Sequence, residues 1–168
     1  MSRVPADERT ATLAVDGTLL NAQHEMSEES VEVLRSISRR GIKVALCSGR
    51  SLPAIQDHAK RLGLPCGIPV VAYNGAAGLL ASPPEWTHGA SELFTMPVPR
   101  PAVEALLRVA AANNLLVQYY LGDDIYVSCR SDAHMAFTHR YAELTGVAAH
   151  QYVESYDDCT SQGLPYKM

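Results

Sequence analysis

Polar side chains with reactive or ligand-holding groups stand where three apolar runs of this sequence stop. Asp16 follows Thr12-Leu13-Ala14-Val15, Ser48 and Arg50 follow Ile42 to Cys47, and Asn74 follows Pro69 to Tyr73. A carboxylate moves protons or ligates a hard cation, while a hydroxyl, a guanidinium and a carboxamide hold anions. Taken alone, Ser48 reads as a turn or helix-cap serine, because short hydroxyl side chains bond readily to nearby backbone. The chemistry therefore depends on whether the fold gathers these positions.

The elements that must position them alternate. Thr12 to Val15 reads as a short buried strand that turns at Asp16-Gly17-Thr18. A helix is expected after Ser27, a good N-cap with Glu28 and Glu29 in its first turn; Val31, Leu34, Ile37 and Ser38 recur at helical spacing until Gly41. Ile42 to Cys47 makes a second strand. Leu52 to Leu62 makes a second helix, opened by Pro53 and closed by Gly63, and Pro69 to Tyr73 makes a third strand. Strand, helix, strand, helix, strand predicts a parallel α/β core, in which sites form at the carboxyl ends of the strands. Asp16, Ser48 and Asn74 lie at those ends.

After Asn74 the pattern changes. Ala76 to Ala81 and Glu85 to Met96, broken by Pro83-Pro84, suggest a hairpin leading out of the core. Pro101 to Asn114 is a periodic helix. Leu115 to Leu121 and Ile125 to Cys129 flank a Gly122-Asp123-Asp124 turn, and Asp132 to Leu144 is a further helix. The expected organisation is a partial core over residues 1–80 and an inserted α+β unit over 81–168. Tyr119 and Tyr120 should face opposite sides of their strand, one toward the core of that unit and the other toward its active-site side.

The 168 residues are 47% hydrophobic and 19% charged, enough apolar material for a real core. A net charge of -4 supplies no basic field for a nucleic acid backbone, so nucleic acid is not an expected partner. Cys47, Cys66, Cys129 and Cys159 are scattered without a metal-binding pair and read as reduced thiols, with Cys47 a small buried hydrophobe inside its strand. No run has signal-peptide character or approaches the roughly 20 apolar residues of a membrane span. A cytoplasmic location and no membrane partner are the expectation, with an organelle left open. The six histidines are dispersed, and the five-residue spacing of His134 and His139 is not the i, i+4 zinc pattern; they read as surface or structural.

Leu13-Ala14-Val15-Asp16-Gly17-Thr18-Leu19-Leu20, Cys47-Ser48-Gly49-Arg50 and Tyr73-Asn74-Gly75-Ala76 together resemble three successive landmarks of the haloacid dehalogenase superfamily, most closely its Cof-type phosphatases with a C2-type cap inserted after the third strand. The resemblance implies a Rossmann-like parallel-sheet core, dependence on Mg²⁺ and hydrolysis of small phosphorylated metabolites such as sugar phosphates. The family's first motif is Asp-x-Asp-Gly-Thr. Its first Asp attacks phosphorus and ligates Mg²⁺; its second is the general acid and base and offers its backbone carbonyl to the metal.

Here the second is Asp16 and the first is Ala14. A methyl group can neither attack phosphorus nor hold a cation, and Val15 points to the other face of the strand. The resemblance assigns Thr18, Ser48, Gly49, Arg50 and Asn74 to phosphate or substrate binding. The family's third-motif lysine and fourth-motif acidic pair should follow the cap. Lys43, Lys60 and Lys167 do not fit the former. Gly122-Asp123-Asp124 reads as a hairpin turn and Asp157-Asp158 as a solvated loop rather than the latter.

Two readings of function result. In one, the chain is a catalytically inactive homologue, a pseudoenzyme or fragment that serves as a binding or assembly subunit and holds Mg²⁺ weakly or not at all. In the other, it is a truncated or mutated form of a Mg²⁺-dependent phosphatase. In the family sheet the first strand lies between the second and a fourth encoded after the cap. Without that neighbour, Leu13 to Val15 is an edge with no charge, proline or bulge to protect it, and a protein partner or self-association is expected to cover it.

Overall fold

A computed structural model describes residues 9–83, 91–145 and 150–168, which group into two compact units, Met1–Phe94 and Thr95–Met168. The division lies at Phe94/Thr95 rather than at the 80/81 boundary expected from sequence, because two further strands follow the third within the first unit's sheet.

In the first unit, β1 (Thr10–Ala14), β2 (Lys43–Cys47) and β3 (Ile68–Ala72) run parallel, as the alternation of apolar runs predicts. β2 is continuously buried from Val44 to Leu46, the mark of a strand covered on both faces. α1 (Glu28–Arg39) and α2 (Pro53–Leu62) connect the strands and pack against each other. α1 starts where Ser27 accepts a hydrogen bond from the Ser30 N–H at 3.1 Å, and buries Val31 and Leu34. α2 opens on Pro53, whose missing N–H costs nothing in a first turn. Its last carbonyls find a donor in the neighbouring helix: Arg35 donates through Nε to Leu62 O at 3.0 Å and through Nη2 to Arg61 O at 2.8 Å.

The sheet is larger than the three-stranded parallel core expected. β4 (Ala77–Ala81) pairs antiparallel with β3, and β5 (Ser91–Thr95) adds beyond it, giving the order β1-β2-β3-β4-β5. The segment read as a hairpin leaving the core therefore stays in the core sheet on both of its described sides; the part of it over residues 84–90 lies outside the described residues. Small residues make this possible: Ala77 and Ala81 are buried, and the Phe94 ring fills the space where a side chain at Gly78 would stand. Among the described residues β1 has a strand neighbour on one side only.

In the second unit, α3 (Arg100–Ala112) precedes a hairpin of β6 (Tyr119–Leu121) and β7 (Asp124–Val127). Leu121 faces Asp124 in the register, so the hairpin forms where expected but its turn is only Gly122-Asp123, with Asp124 opening β7 rather than ending the turn. α4 (Asp132–Thr145), β8 (Gln151–Tyr152) and α5 (Asp157–Gln162) follow, with β8 parallel to β7. Lys167 bridges the free side of β6 through Tyr120, in keeping with a returning strand at that point.

Three expectations in this unit and its neighbour are corrected. Tyr119 and Tyr120 are both buried: the Tyr119 hydroxyl donates to Gly163 O at 2.6 Å, and that of Tyr120 meets the Tyr141 hydroxyl at 2.9 Å, so helices and loops cover both faces of β6. Asp157 and Asp158 open α5 rather than sit in a loop. One turn and a half is too short for periodicity to register, and acidic groups suit a helix N-terminus. Cys47 is only half-buried, because it ends β2 beside the polar turn; the fully buried cysteine is Cys159, packed with Val103 and Tyr119. All four are free thiols. No described helix is long and apolar enough to cross a membrane.

Candidate functional site

The parallel register brings the strand ends level. Ala14 faces Cys47 across the β1–β2 ladder, so Asp16 and Ser48 emerge side by side from adjacent strands. Gly17 turns the chain just after Asp16 with φ 71, a left-handed conformation that costs glycine little, and Leu20 N–H closes the turn on Val15 O at 3.0 Å.

Asp16 is the hub. Ser48 Oγ donates to its Oδ2 at 2.9 Å, and Arg50 donates to its Oδ1 through Nε at 2.9 Å and through Nη2 at 2.6 Å. This two-pronged guanidinium–carboxylate pair fixes both orientation and charge. Burial alone would push the Asp16 carboxyl up, but the hydrogen bonds from Arg50 and Ser48, with the positive charge of Arg50, outweigh it and hold the group below the usual aspartate range.

The binding turn is braced from β3. Ser48 Oγ accepts from Arg50 N at 3.1 Å, Asn74 N donates to Ser48 O at 3.3 Å and Tyr73 N to Arg50 O at 3.0 Å. Tyr73 and Asn74 both hold positive φ, 54 and 57, an uncommon state for residues with a Cβ. That conformation lays the Asn74 side chain against Gly49, where any Cβ would overlap the Asn74 carboxamide oxygen. A side chain at position 49 would therefore displace the Asn74 carboxamide.

The structure accordingly gathers Asp16, Ser48, Gly49, Arg50 and Asn74 at one end of the sheet, with the exposed Ala14 methyl at the end of β1 beside them. Thr18 is exposed and no hydrogen bond ties its hydroxyl to Asp16, Ser48 or Arg50.

Two histidines that spacing did not single out join the cluster. Leu20 bridges Met26, and Asn21 Oδ1 accepts from Gln23 N and Glu25 N, both at 2.9 Å, folding residues 20–26 into a small loop. The loop returns His24, whose Nδ1 lies 3.3 Å from Arg50 Nη2. His58 on α2 is half-buried; burial first, and the Arg50 charge second, push its imidazole below the ordinary histidine range. The polar run Asn21-Ala22-Gln23-His24 signals a loop, but nothing in its spacing says where the loop returns.

The donor set can be tested against Mg²⁺. A hard divalent cation needs several oxygen ligands, carboxylates foremost. The carboxylate of Asp16 is already engaged by Arg50 and Ser48, Ala14 offers none, and no trio of His, Cys, Asp or Glu side chains able to hold a metal occurs among the described residues. These residues by themselves do not fit the ion.

The comparisons agree with this layout. The family model of haloacid dehalogenase-like hydrolases matches residues 12–159. The Bacillus subtilis (strain 168) protein YxeH is 43% identical over 63 residues, 37% of this chain and 23% of that protein. The phosphoglycolate phosphatase of Thermoplasma acidophilum is 34% identical over 67 residues, 40% of this chain and 29% of that protein. The crystal structure of a haloacid dehalogenase-like hydrolase from Bacteroides thetaiotaomicron superposes with a TM-score of 0.68 at 27% identity, covering 91% of this chain and 53% of that one. The chain thus spans about half of that structure, and a smaller share of each curated relative is aligned. With its three strand-end motifs converging on one site and the family model matched across most of its length, the chain belongs to the haloacid dehalogenase-like hydrolases.

Proposed function

We infer that this chain binds small phosphorylated ligands at the ends of β1, β2 and β3 without hydrolysing them, acting as a binding or assembly subunit. One observation carries the reading: the anion-holding groups Ser48, Arg50 and Asn74 are kept and mutually braced, while the position of the attacking carboxylate holds the methyl of Ala14. In the free chain Asp16 occupies the Arg50 guanidinium, so an incoming phosphate competes with Asp16 for it. Asp16 retains the place of the general acid and base, but without a nucleophile it has no phosphoryl enzyme to act on. The names of relatives, a phosphoglycolate phosphatase among them, support a small phosphate ester as the ligand class.

The experiment is a calorimetric titration of the 168-residue chain with inorganic phosphate and with phosphoglycolate, alongside a phosphate-release assay in excess Mg²⁺. Saturable binding that Arg50→Gln removes, with release at the buffer rate, is the expected result. Saturable turnover by the chain as it stands overturns the reading.

The likeness to named phosphatases favours a second reading, in which the sequence is an altered or partial form of a Mg²⁺-dependent phosphatase of small metabolites. The genomic reading frame separates the two. A frame in which a lysine and an acidic pair follow, with Asp at the position of Ala14 in close relatives, supports the phosphatase.

The exposed side of β1 supports a proposed assembly. Thr10 to Ala14 carries no charge, proline or bulge to discourage pairing, and a second chain or a returning segment covers it in the functional form.

A further inference from the structure

The second unit contains a cavity of about 240 Å³ between α3 and the segment from Ser155 to Asp157. Its walls include Arg108 on α3, Ser128 and Arg130 just after β7, and Ser155, Tyr156 and Asp157. An adjoining cavity of about 480 Å³ shares Arg108 and Asp157 and adds one residue of each charge, Arg100 and Glu104. The site described above is built from residues of the first unit, and this cavity is lined by residues of the second.

The hydrogen-bonding capacity of the cavity is unevenly spent. On the floor, Ser128 N–H donates to the Tyr156 hydroxyl at 3.0 Å, that hydroxyl donates to Val117 O at 2.5 Å, and Ser128 Oγ donates to Glu154 O at 3.0 Å. Tyr156 also stacks on Tyr119, with ring centroids 6.2 Å apart. The floor is therefore internally satisfied and rigid. The walls are not. Arg108 makes one long bond, from Nε to its own helix at Glu104 O, 3.3 Å, and the side chain of Arg130 makes none among the described residues. Neither guanidinium has a carboxylate partner among the described residues, although Asp157 lines the same cavity. Two unpaired cations and one anion in a concave site make a locally positive pocket in a chain of net charge -4.

We propose that this cavity is a second ligand site, taking a compact hydroxylated anion whose phosphate or carboxylate head lies between Arg108 and Arg130 and whose hydroxyl donates to Asp157. Guanidiniums match both heads through paired N–H donors. The acceptor at Asp157 is why the ligand must carry a hydroxyl: a bare anion meets its repulsion, whereas a hydroxyl satisfies it. The volume suits a molecule of a few heavy atoms, near the lower end for small-molecule pockets.

The test is an amide chemical-shift titration of the full chain with glycerol 3-phosphate, D-lactate and inorganic phosphate. Shifts at Ser128, Ser155 and Asp157 that saturate with glycerol 3-phosphate assign a phosphate head; saturation with D-lactate instead assigns a carboxylate. Arg108→Gln with Arg130→Gln weakens that binding by about tenfold or more, the loss of charge-assisted bonds, while Arg50→Gln and the exposed control Arg140→Gln leave it unchanged. Asp157→Asn weakens the hydroxylated ligand and strengthens inorganic phosphate. No saturable shift at those amides with any probe overturns the proposal, as does binding lost with Arg50→Gln but indifferent to Arg108 and Arg130; that last outcome leaves the reading of the first site standing. An Asp157→Asn variant that weakens all three probes alike overturns the role given to Asp157.

Discussion

At the residue scale, the first site sets the methyl of Ala14 beside a clamped group of Asp16, Ser48 and Arg50. Arg50 is the more sheltered partner of its ion pair, 18% exposed against 45% for Asp16. Arg50→Gln should let the Asp16 carboxyl rise toward its ordinary value, because the strongest downward influence on it is removed; a carbon-detected NMR pH titration of Asp16 reads this directly, and an unmoved midpoint contradicts the assignment. The histidines give a second test. His58 and His150 are both held below the ordinary value of 6.5, burial first in each case, with Arg50 next for His58 and His139 for His150. A depressed imidazole binds its proton less readily folded than unfolded, so the unfolded state takes up more protons as pH falls below 6.5 and stability drops. Urea midpoints should therefore decline from about pH 7 toward about pH 5, and the decline should flatten in His58→Gln with His150→Gln. A midpoint independent of pH over that window would refute this.

At the element scale, the Ser48–Arg50 turn and the Tyr73–Gly75 turn act as one piece, because the second is strained and the first is cut to fit it. Gly49→Ala forces its methyl into the Asn74 carboxamide and should cost about 1–3 kcal/mol, as overpacking does. Asn74→Gly removes the obstacle while tolerating the positive φ, so the double variant should regain most of the stability lost to Gly49→Ala. Chemical denaturation of the four proteins measures that coupling, and simple additivity would mean the two turns do not touch in solution. The edge of β1 supplies a different test. Thr12 is exposed on the strand, and Thr12→Lys places a charge that discourages edge pairing without disturbing the buried face. Sedimentation should show association in the parent chain that is lost in the variant, with the amides of β1 protected from exchange only in the associated form. A parent chain that stays monomeric at high micromolar concentration would show that this edge needs no cover.

At the scale of the whole molecule, the chain forms two compact units. The first gathers the strand ends, and among its described residues the donor set is too poor in carboxylates for a divalent cation. Added Mg²⁺ should accordingly leave the melting temperature unchanged, since only a ligand bound by the folded state raises it; a rise that grows with Mg²⁺ concentration would expose a metal site these residues do not make. Loss of the attacking group removes a covalent route altogether, and such losses typically lower rates by several orders of magnitude. Ala14→Asp in this chain should not bring back turnover, because the added carboxylate and that of Asp16 together still fall short of the ligands a hard cation needs. Phosphate release by that variant in excess Mg²⁺ measures this, and a saturable rate would contradict it.

The sequence by itself determined the parallel core, the helices between its strands, the positions of Asp16, Ser48 and Asn74 at strand ends and the missing carboxylate at Ala14. Those features follow from local causes: apolar runs, a serine cap, prolines and glycines at helix ends, and a motif whose residue types are individually diagnostic. Tertiary structure alone decided that β4 and β5 extend the sheet, that both Tyr119 and Tyr120 are buried, and that His24 and His58 stand near Arg50. It also decided that Asp16 is clamped rather than open. Apart from β4, which pairs with its chain neighbour β3, these depend on residues distant in the chain meeting in space, and such meetings leave no period or spacing in the sequence to be read.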